Sequence, residues 1–239
     1  MAAPLTAWKV LPHGPLTEVD DRVWTVVGTI HMPLGAFERR MTVARLRDGG
    51  LVVYSAIALD ESEMARLEGL GDLAWLVVPG DHHRLDARIW QQRFPQLRVA
   101  APAGARAMVE EAVGIDATAP HFGDPDVQWI TVPGTREHEA ALRVRGERGT
   151  TLVINDLIAN IRHEHGFSGW LLRLMGFAGD EPAIPGVRRL AMVKDADALR
   201  EQLLAWSEIP DLHCILVSHG EPITEDPRGV LRHLAHSLQ

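Results

Sequence analysis

The sequence contains one cysteine, Cys214, among its 239 residues. A single cysteine cannot form an intrachain disulfide, and it excludes a zinc module built on several cysteines. Cys214 lies within the apolar run CILV, so we expect it to be a core residue rather than a nucleophile.

Lysine is also scarce, since it occurs only at Lys9 and Lys194, and the net charge is −8. Without a cluster of basic residues, the sequence predicts no nucleic-acid partner. No apolar stretch approaches the roughly 20 residues that span a bilayer, and the first residues lack the pattern of a signal peptide. We therefore expect a cytoplasmic protein with no membrane partner. The motifs GxSxG, GxGxxG and the P-loop are missing as well, so a serine hydrolase, a dinucleotide enzyme and an NTPase have no support.

The residues that are present favour a soluble α/β protein, and we expect residues 1–239 to form one domain. RMTVARL and LVVYSAI flank an Asp-Gly-Gly turn and predict a hairpin. Asp60 and Glu63 have the spacing of a capping box before a helix. Later apolar runs alternate with helical patterns, and RRLAMV is interpreted as one further strand. Two mixed halves of similar design predict a layered α/β sandwich rather than a purely parallel sheet.

Metal-capable side chains follow several of the predicted strands. His82 and His83 come after LAWLVVPGD, His138 after VQWITVPGTRE, Asp156 after TLVIN and His219 after CILVS. Strands that end in imidazoles and a carboxylate place those groups at one edge of a sheet. Nitrogen and oxygen ligands of this kind suit Zn²⁺ or another borderline divalent metal.

The arrangement of these motifs resembles the metallo-β-lactamase superfamily from about Trp24 to the C-terminus. The resemblance implies a four-layer αββα sandwich whose metal ligands arrive as H-x-H-x-D-H, a later His, an Asp and a final His. VVPGDHHRLDA stands in place of the first motif. There Gly80 occupies the position of the first His, His82 matches the second, and Arg84 and Leu85 replace the Asp and the last His. RMTVARLRDGGLVVYS, the His pair after VVPG and the ending SHGEP together resemble a degenerate branch of this superfamily without an assigned activity.

His138, Asp156 and His219 match the three later ligand positions. The resemblance thus implies one divalent metal, Zn or alternatively Fe or Mn, on these three residues and His82. If the register shifts by one residue, His83 replaces His82. The implied activity is hydrolysis of an ester, thioester or lactone, with Asp156 and His82 as catalytic residues.

Arg84 limits this site to one metal at most. A guanidinium has donors and no acceptor, so it cannot bind a metal, and its charge would repel a second dication. We expect Arg84 either to hold an anionic group of a small-molecule substrate or to pair with Asp81 or Asp86 on the surface. The alternative function is a non-catalytic binding or interaction protein of the same fold that has lost its metal.

The segment 160–185 is the least regular part of the sequence. Its apolar residues, Trp170 among them, predict a cap over the site or a homodimer interface. His163 and His165 in the same segment are spaced so that they could bind a metal from a loop, although such a pair is more often solvated.

Overall fold

The computed structural model describes residues 3–32, 35–161, 179 and 181–238. Within these residues, ten strands form two mixed sheets, which confirms the predicted layered α/β architecture. The six-stranded sheet has the spatial order β1-β2-β3-β4-β5-β6. Its strands are β1 (Thr17–Asp20), β2 (Val23–Met32), β3 (Gly35–Arg45), β4 (Gly50–Tyr54), β5 (Asp72–Val77) and β6 (Arg98–Ala100). The four-stranded sheet has the order β10-β9-β8-β7. Its strands are β7 (Val127–Thr131), β8 (Ala140–Gly146), β9 (Gly149–Ile154) and β10 (Leu212–Val217).

Helices cover the outer faces of both sheets. The helices of the described chain are α1 (Glu61–Glu68), α2 (Ala87–Arg93), α3 (Arg106–Glu110), α4 (Gly186–Met192), α5 (Ala196–Ser207) and α6 (Pro227–His236). A 3-10 turn over Ala103–Ala105 leads into α3. In the described ranges, no helix is long and apolar enough to cross a membrane.

Alternating side chains along the strands divide the core into three layers. On β4, Leu51 and Val53 pack toward α1, α2 and α3, whereas Val52 and Tyr54 pack between the sheets. On β10, Ile215 packs toward α5 and α6 in the same way. Successive side chains of a strand point to opposite faces, so these fully buried strands contribute to two layers at once. The result is the αββα order of layers.

Local predictions from the sequence have mixed outcomes. The hairpin is confirmed, because β3 and β4 pair antiparallel and Gly49 in the turn has a φ of 91°. The helix cap is confirmed too, because the carboxylate of Asp60 accepts a hydrogen bond from Glu63 N at 2.9 Å. The prediction of a strand for RRLAMV is wrong, since residues 188–192 belong to α4 and Val193 directly follows it. The segment has one β-branched residue among good helix formers, and Pro185 precedes its first turn.

Parallel pairing explains where the candidate residues meet. β4 and β5 are parallel neighbours in one sheet, and β9 and β10 are parallel neighbours in the other. The carboxyl ends of parallel neighbours lie at the same edge of a sheet. The loops after β5, β9 and β10 therefore share one edge of the sandwich.

Candidate metal centre

Three metal-capable side chains converge at this edge. The ligand atoms of His83, Asp156 and His219 all lie within 4.8 Å of one another. Nε2 of His83 is 3.2 Å from Asp156 Oδ1, and Nε2 of His219 is 3.1 Å from the same oxygen. The carboxylate is 3% exposed, so its charge is shielded from water and faces the two imidazoles.

The three residues come from both sheets. His83 belongs to the loop that follows β5 of the six-stranded sheet, and Asp156 and His219 each lie two residues beyond a strand of the four-stranded sheet. Arg40 on β3 ties the sheets together beside the cluster, because its guanidinium donates to Val217 O at 3.0 Å and to Gly220 O at 2.7 Å. Since these contacts flank His219, the position of that imidazole depends on the packing of one sheet on the other.

Each imidazole is oriented by a hydrogen bond at Nδ1, the ring nitrogen that does not contact Asp156. Nδ1 of His219 lies 2.7 Å from the carbonyl oxygen of Glu38, and Nδ1 of His83 lies 2.7 Å from Ser55 Oγ. A carbonyl only accepts hydrogen bonds, so Nδ1 of His219 carries a proton, and Nε2 faces Asp156, to which it donates when protonated and beside which it can bind a metal when neutral. Metal-binding histidines in proteins show this same pattern of an outer hydrogen bond on the nitrogen that is not the ligand.

The electrostatics of Asp156 indicate a site for positive charge. Burial alone would raise the pKa of this carboxyl. The charge of His83 and hydrogen bonds from His219 and His83 outweigh burial and hold the pKa well below its usual range. The carboxylate is therefore ionised. Its negative charge suits a proton or a metal ion between the two rings.

These donors fit a zinc-like ion. With bonds of about 2.0–2.1 Å, two ligand atoms of a tetrahedral ion are roughly 3.3 Å apart. The observed separations of 3.1 and 3.2 Å between nitrogen and oxygen are close to that value. Two imidazoles and one carboxylate also form the kind of set that holds catalytic zinc with one position open. The residues present can therefore hold one divalent ion.

A buried polar network supports the cluster from below. Glu139 is fully buried, and its carboxylate accepts hydrogen bonds from Asn155 Nδ2 and from Leu157 N, each at 3.3 Å. Tyr54 Oη donates to Ala140 O at 2.7 Å. Burial first, and then the charges of Glu139 and Asp156, raise the pKa of Tyr54 well above its usual value, so this hydroxyl stays a donor.

A cavity of about 190 Å³ opens beside Asp156. The loop after β5, the connection between β7 and β8, and the end of α4 supply its walls. The residues that line it are Gly80, Asp81, His82, Thr135, Arg136, His138, Glu139, Asp156, Ala191, Met192 and Lys194.

The predicted site residues are distributed between this cavity and the cluster. Asp156 and His219 lie close together, and the histidine beside them is His83, the alternative in the shifted register. His82 and His138 line the cavity, and Nδ1 of His138 lies 3.1 Å from Asp81 Oδ2.

Arg84 is buried and turned toward α3. Its guanidinium donates to Met108 O at 2.6 Å and to Glu111 Oε2 at 2.7 Å. Asp86, the other expected surface partner, is buried and paired with Arg39. Neither Asp81 nor Asp86 is therefore the partner that the structure gives Arg84.

Three predicted features fall outside the described residues: His163, His165 and Trp170. The prediction of a cap or interface over 160–185 therefore stays a prediction.

Sequence reasoning missed two residues that hold the site in place. Ser55 directly follows β4 with a φ of 57°, a left-handed conformation that is uncommon for a residue other than glycine. No sequence pattern marks this conformation. Glu139 could have been noticed, because a glutamate directly after a candidate ligand and before the apolar AAL is a charge placed at the start of a buried strand.

Comparison with solved structures places the fold. The sequence matches no protein-family model and no curated protein significantly. The metallo-β-lactamase FIM-1 from Pseudomonas aeruginosa, solved in a mono-zinc form, is 14% identical with a TM-score of 0.63, and the match covers 96% of this chain and 97% of that one. A metallo-β-lactamase from Hirschia baltica is 11% identical with a TM-score of 0.62, covering 94% and 98%. VMB-1 is 12% identical with a TM-score of 0.64, covering 96% and 99%. At these identities the likeness establishes the fold alone. The chemistry has to be argued from the residues of the site. This chain has the metallo-β-lactamase fold.

Proposed function

We propose that this protein is a metal-dependent hydrolase whose single divalent ion, zinc in the first instance, is held by His83, Asp156 and His219. The observation that carries the proposal is the convergence of these three ligand atoms within 4.8 Å at the edge of the sandwich. The orientation of both imidazoles by outer hydrogen bonds supports it, as does the cavity that reaches Asp156.

A bound ion of this kind supplies an activated water and polarises a carbonyl oxygen. The protein contributes the rest. Ser55 and the carbonyl of Glu38 fix the two rings, and Glu139 holds the turn that carries Asp156 through Leu157 N. Such preorganisation keeps the ligand atoms in place without a cost of rearrangement when substrate binds.

The cavity favours a small anionic ester, thioester or lactone. Its 190 Å³ is below the roughly 300 Å³ at which drug-sized sites begin, so it accepts a short acyl group rather than a large ligand. Among the described residues that line it, the cations are Arg136 and Lys194. Because the guanidinium of Arg84 is bonded to α3, we assign the contact with a substrate anion to Arg136 and Lys194 instead.

The two adjacent histidines provide a matched test of the metal site. Purified protein is stripped with a chelator, and zinc binding is measured by calorimetry for wild type, His83→Ala and His82→Ala. We expect one zinc per chain in wild type. We expect an affinity loss of at least about 100-fold in His83→Ala, since removing even an outer partner of a ligand costs roughly 10–100-fold, and little change in His82→Ala. If His82→Ala loses zinc and His83→Ala keeps it, the ligand set proposed here is wrong.

A second candidate function is the metal-free binding protein. It is favoured by the hydrogen bonds that join His83 and His219 directly to Asp156, because a protonated imidazole pair can satisfy this carboxylate without a metal. Less than about a tenth of an equivalent of Zn, Fe or Mn in protein grown with added metal, together with no zinc binding by calorimetry, would support this candidate.

A further inference from the structure

His138 and Asp81 form a second pair of ionisable groups on the cavity wall. Nδ1 of His138 lies 3.1 Å from Asp81 Oδ2 and 3.3 Å from Asp81 Oδ1. Neither residue belongs to the group of three whose ligand atoms lie within 4.8 Å of one another, although the structure describes them both. Their side chains are 37% and 28% exposed, so they face the open cavity rather than the core.

The surroundings of His138 hold its ring in one place. A Cβ atom on Gly104 would lie 2.7 Å from His138 Cδ2 and 2.3 Å from Arg136 O, so only a glycine there admits this packing. Gly104 N also donates to Glu137 O at 2.8 Å. Arg136 and Glu137 have φ values of 51° and 59°, a strained pair of residues directly before the histidine. Backbone strain of this kind persists where the surrounding structure holds a functional group in position.

The chemistry of the pair follows from which ring nitrogen is occupied. A carboxylate only accepts hydrogen bonds, so Asp81 binds His138 through Nδ1–H and the neutral ring presents the lone pair of Nε2. An imidazole that is oriented by a carboxylate on the wall of an open cavity has the arrangement of a general base.

We propose that His138, positioned by Asp81, is the acid–base residue of the hydrolysis, and this inference rests on the proposed function. Nε2 takes a proton from the attacking water as its oxygen bonds to the substrate carbonyl carbon. The same nitrogen returns the proton to the leaving oxygen or sulfur as the acyl bond breaks. The products are a carboxylic acid and an alcohol or thiol, or a hydroxy acid from a lactone, and no other reactant is needed.

The experiment separates this role from that of a metal ligand. Zinc affinity is measured by calorimetry, and hydrolysis of 4-nitrophenyl acetate is measured with the zinc-loaded full chain. The variants are His138→Ala, Asp81→Asn and Asp81→Glu, and His236→Ala on the exposed face of α6 is the control.

For His138→Ala we expect a zinc Kd within about threefold of wild type and a kcat lower by roughly 10²–10⁴. Asp81→Asn should lower kcat at least about tenfold at unchanged KM, and Asp81→Glu should recover part of that loss, because Asp81 acts through His138. His236→Ala should match wild type in both measurements.

Two results overturn the inference while the proposed function stands: a zinc affinity at least about tenfold weaker in His138→Ala, which would make His138 a ligand, or a kcat within threefold of wild type. If the zinc-loaded wild type leaves the ester intact, the proposed hydrolase and this inference fail together. In that case, loss of zinc binding in His83→Ala still identifies the metal site, because calorimetry measures binding without any need for activity.

Discussion

A histidine at position 80, where the resemblance to metallo-β-lactamases puts the first histidine of their motif, should destabilise this protein rather than give it a metal ligand. Gly80 stands at that position. A Cβ atom built on Gly80 would lie 3.1 Å from both Asn155 Nδ2 and His138 O, and 3.6 Å from Glu139 Oε2. Asn155 and Glu139 are fully buried, so the groups that a Cβ at position 80 would meet have little room to move.

The size of the effect follows from the packing. A Cβ at 3.1 Å requires its neighbours to move by a few tenths of an ångström, and an imidazole beyond it must displace the Asn155 amide or the Glu139 carboxylate. Overpacking of this kind costs about 1–3 kcal/mol. For 239 residues, the unfolding entropy near Tm is roughly 0.5 kcal/mol per kelvin, so Gly80→His should lower Tm by about 2–6 °C.

Calorimetric unfolding and zinc content test this prediction together. Gly114→His is a matched control, because a Cβ at Gly114 meets no atom within 4 Å. We expect the control to unfold at the wild-type temperature and Gly80→His to unfold below it without binding more zinc. A Gly80→His protein as stable as the control, with zinc content raised toward two equivalents, would refute the argument that Asn155 and Glu139 fill the missing ligand's place.

Three further predictions concern stability and substrate binding. Asp86→Ala leaves Arg39 buried without its ion pair and should lower the free energy of unfolding by about 3–5 kcal/mol in urea titrations, whereas Glu61→Ala, which breaks an exposed pair, should change it little. Burial raises the pKa of the Cys214 thiol to about 11. The stabilisation from keeping this thiol neutral is complete below pH 9 and is lost as the pH rises through about 11. Unfolding titrations should therefore show up to about 3 kcal/mol of alkaline loss that is smaller in Cys214→Ala, and an equal loss in both proteins would contradict the assignment. Arg136→Glu and Lys194→Glu should each raise KM for an anionic ester at least about tenfold while leaving KM for a neutral ester within about twofold, and equal effects on both esters would remove the proposed anion contact.

Much of the fold could be predicted because its signals are local. The Asp-Gly-Gly turn, the cap at Asp60 and the short apolar strands are each encoded within a few residues, and the structure confirms them. RRLAMV was misinterpreted because an apolar run of this length suits a strand or a buried helix equally well. Its environment decided the outcome: the segment makes no ladder with the described strands and instead forms α4 at the cavity.

The choice between His82 and His83 was not available from spacing, because the loop after β5 does not continue the alternation of the strand. Residues 81 and 82 form a turn, so positions two residues apart no longer share a face. The loop is fixed from outside at both ends: Ala140 N donates to Pro79 O at 2.9 Å, and Asp86 accepts from Ala58 N at 3.0 Å and pairs with Arg39.

Within that frame, Ser55 at the end of β4 binds the ring that comes within reach, which is His83. The residue that positions His83 is thus 28 positions away in the sequence, directly after a neighbouring strand. The sequence shows a hydroxyl after the fourth strand and two histidines after the fifth. It therefore does not decide which histidine the hydroxyl binds until the pairing of β4 with β5 is known. In this protein the pairing favours the second histidine, and the first is left on the cavity wall beside Asp81.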